Sequence, residues 1–117
     1  MPGATLRPVV FEPTSNKLKG IICKGFQIHV TNPYEFKPYI TTLRLLQAVI
    51  FNHKDQFRWK LPPYEYEFKK HPIDLIIGNK KIRQSIENLD KIDNIEKSWL
   101  DELKGFIEIS RKFHLYT

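Results

Sequence analysis

The sequence of 117 residues contains a single cysteine, and it has no long run of apolar or basic residues. A lone Cys23 can form neither an internal disulfide nor a cysteine-rich zinc site. No apolar stretch approaches the length of a membrane span, and the first residues lack the pattern of a signal peptide. A disulfide scaffold and a transmembrane segment are therefore not expected.

The basic residues are dispersed, although the formal net charge is +6. They occur at most as short pairs beside apolar residues, and no nucleic-acid-binding motif accompanies them. This distribution favours a solvated surface over a nucleic-acid interface. Apolar residues make up 41% of the chain and aromatic residues 13%, which is typical of a globular domain. A single domain over residues 1–117 is expected from this length.

The clearest pattern lies in residues 19–31 and predicts a strand over residues 21–30. Successive side chains of a strand point to opposite faces. One face carries apolar residues interrupted by a lysine: Ile22, Lys24, Phe26, Ile28 and Val30. The other face carries Ile21, Cys23, Gly25, Gln27 and His29. The first face is expected to lie on the core, and the second to line a surface.

The remaining patterns predict an α+β fold, with a small mostly antiparallel sheet and about three helices packed on it. Because Pro8 cannot donate a ladder hydrogen bond, residues 6–11 are expected at a sheet edge or as a lead-in to the sheet. Helices are predicted over residues 34–53, from the N-cap Asn79 to about residue 89, and from the N-cap Asp93 onward. Further strands are predicted over residues 57–60 and 64–68, and residues 73–78 fit either a strand or a turn.

The polar face of the central strand offers a candidate binding surface. Cys23 and His29 are about 20 Å apart on a regular strand, so they cannot act as a catalytic dyad. Gln27 and His29 are about 7 Å apart and could hydrogen-bond one ligand. Alternatively, His29 satisfies a local backbone carbonyl.

Aromatic and acidic residues alternate strictly over residues 64–68, and this pattern predicts a second candidate surface. Glu65 and Glu67 would be about 7 Å apart, a separation compatible with glycoside chemistry, or would form a solvent face. Tyr64 and Tyr66 would form a platform for a sugar, or pack in the core. Asp74 lies among apolar residues and is expected to cap a turn or pair with a lysine or arginine.

No cofactor and no metal ion are expected from the sequence. The four histidines lack the close spacing of a ligand pair, and a glycine-rich phosphate loop is missing. Only the start of the predicted helix at Gly78 and Asn79 could hold an anion, and one glycine is weak support for such a site.

Several motifs in a fixed order resemble one known family. They are Arg7-Pro8-Val9-Val10-Phe11-Glu12-Pro13-Thr14, Lys19-Gly20, Cys23-Lys24-Gly25-Phe26-Gln27-Ile28-His29-Val30-Thr31, Phe57-Arg58-Trp59, Pro63-Tyr64-Glu65-Tyr66-Glu67, Pro72-Ile73-Asp74-Leu75-Ile76-Ile77-Gly78, Ser98-Trp99 and Arg111-Lys112-Phe113-His114-Leu115-Tyr116. Together they cover nearly the whole chain. The sequence resembles the C-terminal part of the bacterial exo-β-N-acetylmuramidases of the NamZ type.

The resemblance implies an auxiliary domain of an exported, peptidoglycan-degrading glycosidase. Members of the family resemble two-domain proteins, with the catalytic carboxylate in an N-terminal Rossmann-like domain that has no counterpart here. The chain alone is therefore expected to have no catalytic residue and to contribute one wall of a saccharide cleft. Its expected partners are that catalytic domain and a muropeptide or cell-wall saccharide, without nucleic acid. The expected substrate-binding residues are Gln27, His29, Tyr64, Glu65 and Tyr66.

Two other functions are left open by the residues alone. One is a stand-alone module that binds a glycan or nucleic acid. The other is a small cytoplasmic enzyme with its own site.

Overall fold

The computed structural model describes residues 1–116 and contains two strands followed by four helices. The elements are β1 (Ala4–Phe11), β2 (Cys23–Val30), α1 (Pro38–Asn52), α2 (Pro72–Ile77), α3 (Lys80–Glu87) and α4 (Ile92–Arg111). The predicted α+β class is confirmed, with an antiparallel sheet of two strands. The chain divides into two compact units, residues 1–41 (unit 1) and the residues from 42 onward (unit 2).

Unit 1 is built on the β1–β2 hairpin, whose register runs from Ala4 opposite Val30 to Phe11 opposite Cys23. Both strands are edge strands, which agrees with the prediction from Pro8. Directly opposed residues of an antiparallel pair share a face. The alternation predicted for β2 therefore extends across β1 and gives the hairpin one apolar and one mixed face.

Gly3 closes the open end of the hairpin. Its carbonyl accepts hydrogen bonds from the amides of Thr31 (2.9 Å) and Asn32 (3.1 Å). Its φ is +72°, a left-handed conformation that glycine adopts without steric cost. A Cβ at this position would lie 2.5 Å from the carbonyl oxygen of Asn32, so only glycine fits.

The helices of unit 2 begin and end at residues suited to those positions. Pro72 lies in the first turn of α2, where its missing N–H costs nothing, and Gly78 ends this helix with φ +85°. Asn79 is the N-cap of α3, as predicted, and its Oδ1 accepts from the amides of Lys81 and Ile82. Asp93 is not the cap of α4. The N-cap is Lys91, and Asp93 lies in the first turn.

Few side chains of unit 2 are fully buried. Leu43 and Ile86 are 1% and 0% exposed, and Ile50, Ile82, Ile92 and Ile95 are also buried. In α1 and α3 these buried residues recur at helical spacings. In α4 the apolar residues are buried only near its start, because Leu103 and Phe106 are exposed. No helix among residues 1–116 has the length and apolar character needed to span a membrane.

The strands predicted over residues 57–60 and 64–68 were wrong. Residues 57–60 have no regular secondary structure. Residues 73–77, which fit either a strand or a turn in the sequence, lie in α2. Residues 64–67 form a tight turn, in which Tyr64 and Glu67 exchange backbone hydrogen bonds of 2.9 and 3.0 Å. Alternation over five residues was too short to distinguish a strand from a turn.

Candidate functional site

The mixed face of the hairpin has a polar half formed by Thr5, Arg7, Gln27 and His29. In the register, Thr5 opposes His29 and Arg7 opposes Gln27. The Arg7 guanidinium donates a 2.6 Å hydrogen bond to Gln27 Oε1, and all four residues are exposed. The arrangement presents a guanidinium, an amide, an imidazole and a hydroxyl on one small surface. These groups can hydrogen-bond a polar ligand and pair with a carboxylate.

Arg7 was not among the site residues expected from the sequence. It lies twenty positions before Gln27, and its place beside that residue depends on the register of β1 against β2. The two left-handed residues Asn16 and Leu18 and the left-handed Gly20 shape the connection between the strands. The geometry of such a connection sets the register of β1 against β2. The alternation of apolar and polar residues along each strand does not predict it.

The other half of the mixed face is more apolar. The ring of Phe11 covers Gly25, where an added Cβ would lie 3.3 Å from Phe11 Cε1. Glycine thus allows the ring to approach the strand closely. The Cys23 thiol donates to the carbonyl of Ile21 at 3.4 Å, so its hydrogen bond is local. Cys23 and His29 lie near opposite ends of β2, as expected, and form no dyad.

The opposite face of the hairpin is apolar and open. It carries Ala4, Leu6, Pro8 and Val10 from β1 with Lys24, Phe26, Ile28 and Val30 from β2. Phe26 is 64% exposed and Val10 is 68% exposed, and a cavity of about 350 Å³ lies against them. The expectation that this face lies on the core is wrong for residues 1–116. Its alternation is correct, but most of its side chains are exposed, and of the eight only Ala4 is buried.

The second expected set of site residues lies in unit 2, at the tight turn. Glu65 has φ +51° at its tip, Tyr66 is 94% exposed, and Tyr64 is half-buried. Because this segment turns, Glu65 and Glu67 do not form the predicted row of carboxylates. Glu67 instead accepts hydrogen bonds from the amides of Lys69 (2.8 Å) and Lys70 (3.1 Å). These bonds lower the pKa of the Glu67 carboxyl from its ordinary value.

A partly buried ionic network links α2 and α3. Asp74 accepts from Arg83 Nε, and Arg83 also donates to Glu87 Oε1 at 2.8 Å. Glu87 in turn accepts from the indole N–H of Trp59 at 2.7 Å. The hydrogen bond to Asp74 raises the pKa of Arg83, so its charge is retained. Of the two roles expected for Asp74, capping a turn or pairing with a basic residue, the structure shows the pair, and it links α2 to α3.

The structure brings Gln27 and His29 together on one strand face, and Tyr64, Glu65 and Tyr66 together at one turn. The first set belongs to unit 1 and the second to unit 2. Within residues 1–116, no group of three or more histidine, cysteine or acidic side chains is arranged to hold a metal ion. The arrangement of the polar hairpin face suits recognition of a ligand through hydrogen bonds.

Comparison with known proteins places the chain in a family. The family model for the C-terminal region of the exo-β-N-acetylmuramidase NamZ matches residues 1–116. Among curated proteins, the peptidoglycan β-N-acetylmuramidase NamZ of Bacillus subtilis (strain 168) is 31% identical over 117 residues. The match covers 99% of this chain and 26% of that relative, so the chain spans about a quarter of its length. No solved structure matches the chain. The family match and the order of the motifs show that the chain belongs to the NamZ C-terminal domain family of exo-β-N-acetylmuramidases.

Proposed function

We propose that the chain is the auxiliary domain of an exported exo-β-N-acetylmuramidase and forms one wall of its saccharide cleft. The observation that carries the proposal is the two-sided hairpin. One face is apolar and largely exposed, and the other presents hydrogen-bonding groups. A sheet of two strands with an open apolar face is at most marginally stable in water. The hairpin is therefore suited to pack its apolar face on a further domain.

The partner we propose for this face is an N-terminal catalytic domain of the same polypeptide. The matched region of the Bacillus subtilis relative is only 26% of that protein, which leaves ample chain for such a domain. Phe26 and Val10 would be buried in the contact. Burying a side chain of this type stabilises an interface by about 1.5–3 kcal/mol. The catalytic carboxylate would come from the partner domain.

The polar hairpin face would then contact the saccharide. Gln27 and His29 supply the amide and imidazole already expected as binding residues, and Arg7 adds a cation. A muramic acid unit carries a lactyl carboxylate, for which a guanidinium is a suitable partner. Tyr64, Glu65 and Tyr66 remain proposed binding residues at the exposed turn, where the tyrosine ring could contact a sugar face.

The test is a cleavage assay on the full-length polypeptide in which this domain follows its catalytic domain. We expect release of N-acetylmuramic acid from a chromogenic muramoside. Gln27→Ala should raise KM several-fold with little change in kcat, whereas Gln84→Ala on the exposed surface of α3 should change neither. Phe26→Asp should lower kcat/KM by weakening domain contact. A full-length protein without muramidase activity would overturn the proposal.

The 117-residue chain alone provides the complementary measurement. It should release no sugar, because the catalytic carboxylate would be absent. Turnover by the isolated chain that is lost in His29→Ala would contradict the auxiliary role and would favour an independent enzyme.

A further inference from the structure

The outer edge of β2 has backbone groups that no neighbouring strand uses. In an antiparallel pair, residues that bond the opposite strand alternate with residues whose N–H and C=O point outward. The amide of Thr31 bonds the carbonyl of Gly3, and this pair lies one step beyond Ala4 and Val30 in the register. Counted from it in steps of two, the outward residues of β2 are Lys24, Phe26, Ile28 and Val30. Within residues 1–116 no third strand pairs with them, and no loop bonds their amides.

The two edges of the hairpin differ in how they are protected. The outward residues of β1 include Pro8, which has no N–H and leaves a gap in the middle of that edge. Proteins commonly block exposed edges in this way, or with lysines and bulges. On β2 the register is continuous, no proline occurs, and the single lysine, Lys24, lies near one end. Phe26, Ile28 and Val30 are exposed, so the β2 edge is open to pairing with another strand.

The side chains beside this edge suit pairing with an identical strand. In an antiparallel pair centred on Gln27, Phe26 lies opposite Ile28 of the second copy. Cross-strand pairs of aromatic and β-branched residues stabilise a sheet. Lys24 lies opposite Val30, which places the two lysines about 20 Å apart, at opposite ends of the contact. This register uses all four outward residues of each strand and brings no like charges together.

The other face of the strand fits the same register. Gln27 lies opposite Gln27 of the second copy, and each side-chain amide has both donors and an acceptor. His29 lies opposite Gly25, so its imidazole meets no side chain of the facing strand. It packs instead beside the ring of Phe11, which covers that glycine. Neither face therefore opposes the pairing.

A second copy also enlarges a sheet that is small by itself. A sheet of two strands is at most marginally stable in water, and independent stability needs three or more strands with an apolar face. Two hairpins joined at β2 form four strands, and their apolar faces join into one. That face stays free, so the pairing does not compete with the domain contact proposed above.

We propose that β2 pairs with β2 of a second copy of this chain, edge to edge and antiparallel, in a sheet of order β1-β2-β2-β1. The contact consists of backbone hydrogen bonds from the four outward residues and of the side-chain pairs described above. It does not rest on the proposed function, because neither a sugar nor the catalytic domain takes part in it.

Sedimentation equilibrium of the 117-residue chain measures the contact directly. We expect a dimer in the micromolar range. Ile28→Pro should raise the dimer dissociation constant at least about 10-fold, because it removes an outward N–H, and with it one hydrogen bond, from each copy. Leu6→Pro is the matched control, since it lies opposite Ile28, removes an outward N–H of the β1 edge and should leave the constant unchanged. A chain that stays monomeric, or equal effects of the two prolines, would overturn the proposal.

A disulfide tests the register without changing the backbone. In a Cys23→Ser background, Gln27→Cys places one thiol of each copy in a non-hydrogen-bonded pair. The Cα atoms of such a pair are about 4.5 Å apart, within the range of disulfides. Mild oxidation should convert most of the chain to a covalent dimer. Arg7→Cys, one strand away on the same face, should stay monomeric. Equal cross-linking of the two variants contradicts the register, even if the proline variants unfold.

Two other occupants of this edge give different results. If a strand of the catalytic domain pairs there, the 117-residue chain is monomeric, and the amides of Phe26 and Ile28 gain protection from hydrogen exchange only in the full-length polypeptide. If two copies associate through their apolar faces, Phe26→Asp dissociates the dimer, Ile28→Pro does not, and Gln27→Cys forms no disulfide. Either result overturns the proposal.

Discussion

At the scale of single residues, the ion pair between Arg83 and Asp74 leads to a prediction about stability. Arg83 and Asp74 have side chains only 11% and 12% exposed. Removing one partner of a buried pair leaves the other charge uncompensated. Arg83→Met should therefore lower the free energy of unfolding of unit 2 by about 3–5 kcal/mol, measured by chemical denaturation.

The control for this prediction is Arg44→Met. Its ion pair with Asp93 is largely exposed, so the loss should be under about 1 kcal/mol. Equal losses in the two variants would show that burial does not decide the strength of these pairs.

Two glycines of the chain should respond oppositely to the same substitution. Gly3→Ala would place a Cβ 2.5 Å from a backbone oxygen at φ +72°, and should destabilise the hairpin by at least about 2 kcal/mol. Gly105 lies inside α4 with nothing near its missing Cβ, so Gly105→Ala should stabilise the helix by about 0.5–1 kcal/mol. Hydrogen exchange at Thr31 and in α4 would measure the two effects separately. Faster exchange in α4 of Gly105→Ala would contradict the prediction.

At the scale of elements, the turn at residues 64–70 should depend on pH. The amides of Lys69 and Lys70 hold the pKa of Glu67 below its ordinary value of 4.5. A lowered pKa in the folded state stabilises the turn above pH 4.5, and this contribution is lost as pH falls through the folded-state value. Amide shifts of Lys69 and Lys70 should therefore titrate in acid. Glu67→Gln should remove that titration, whereas Glu65→Gln should leave it unchanged.

The helices show which features of elements could be predicted. Apolar spacing placed α1, α3 and α4 within a few residues of their observed ends, and Asn79 identified a cap correctly. The turn at residues 64–67 was predicted as a strand because its aromatic and acidic residues alternate. Residues of a tight turn can alternate in the same way. The start of α4 was placed too late because Asp93 suits the first turn of a helix as well as its cap.

At the scale of the whole molecule, large apolar side chains remain uncovered on the hairpin and on the end of α4. Such surfaces bind hydrophobic dyes. We expect the 117-residue chain to enhance the fluorescence of such a dye, and Phe26→Ser to reduce the enhancement without loss of folded structure. Tyr34→Ser, which changes an isolated residue that is 98% exposed, is the control. In the full-length polypeptide the contribution of Phe26 should disappear, and its persistence there would contradict the proposed domain contact.

The sequence by itself determined the α+β class, the two faces of β2, the positions of three helices and the family. These properties depend on spacing along the chain and on local backbone chemistry. Only the tertiary structure decided that Arg7 meets Gln27 and that Arg83 is the partner of Asp74. Those pairings join residues far apart in the chain. Periodicity identifies an apolar face, but only packing shows whether anything covers it.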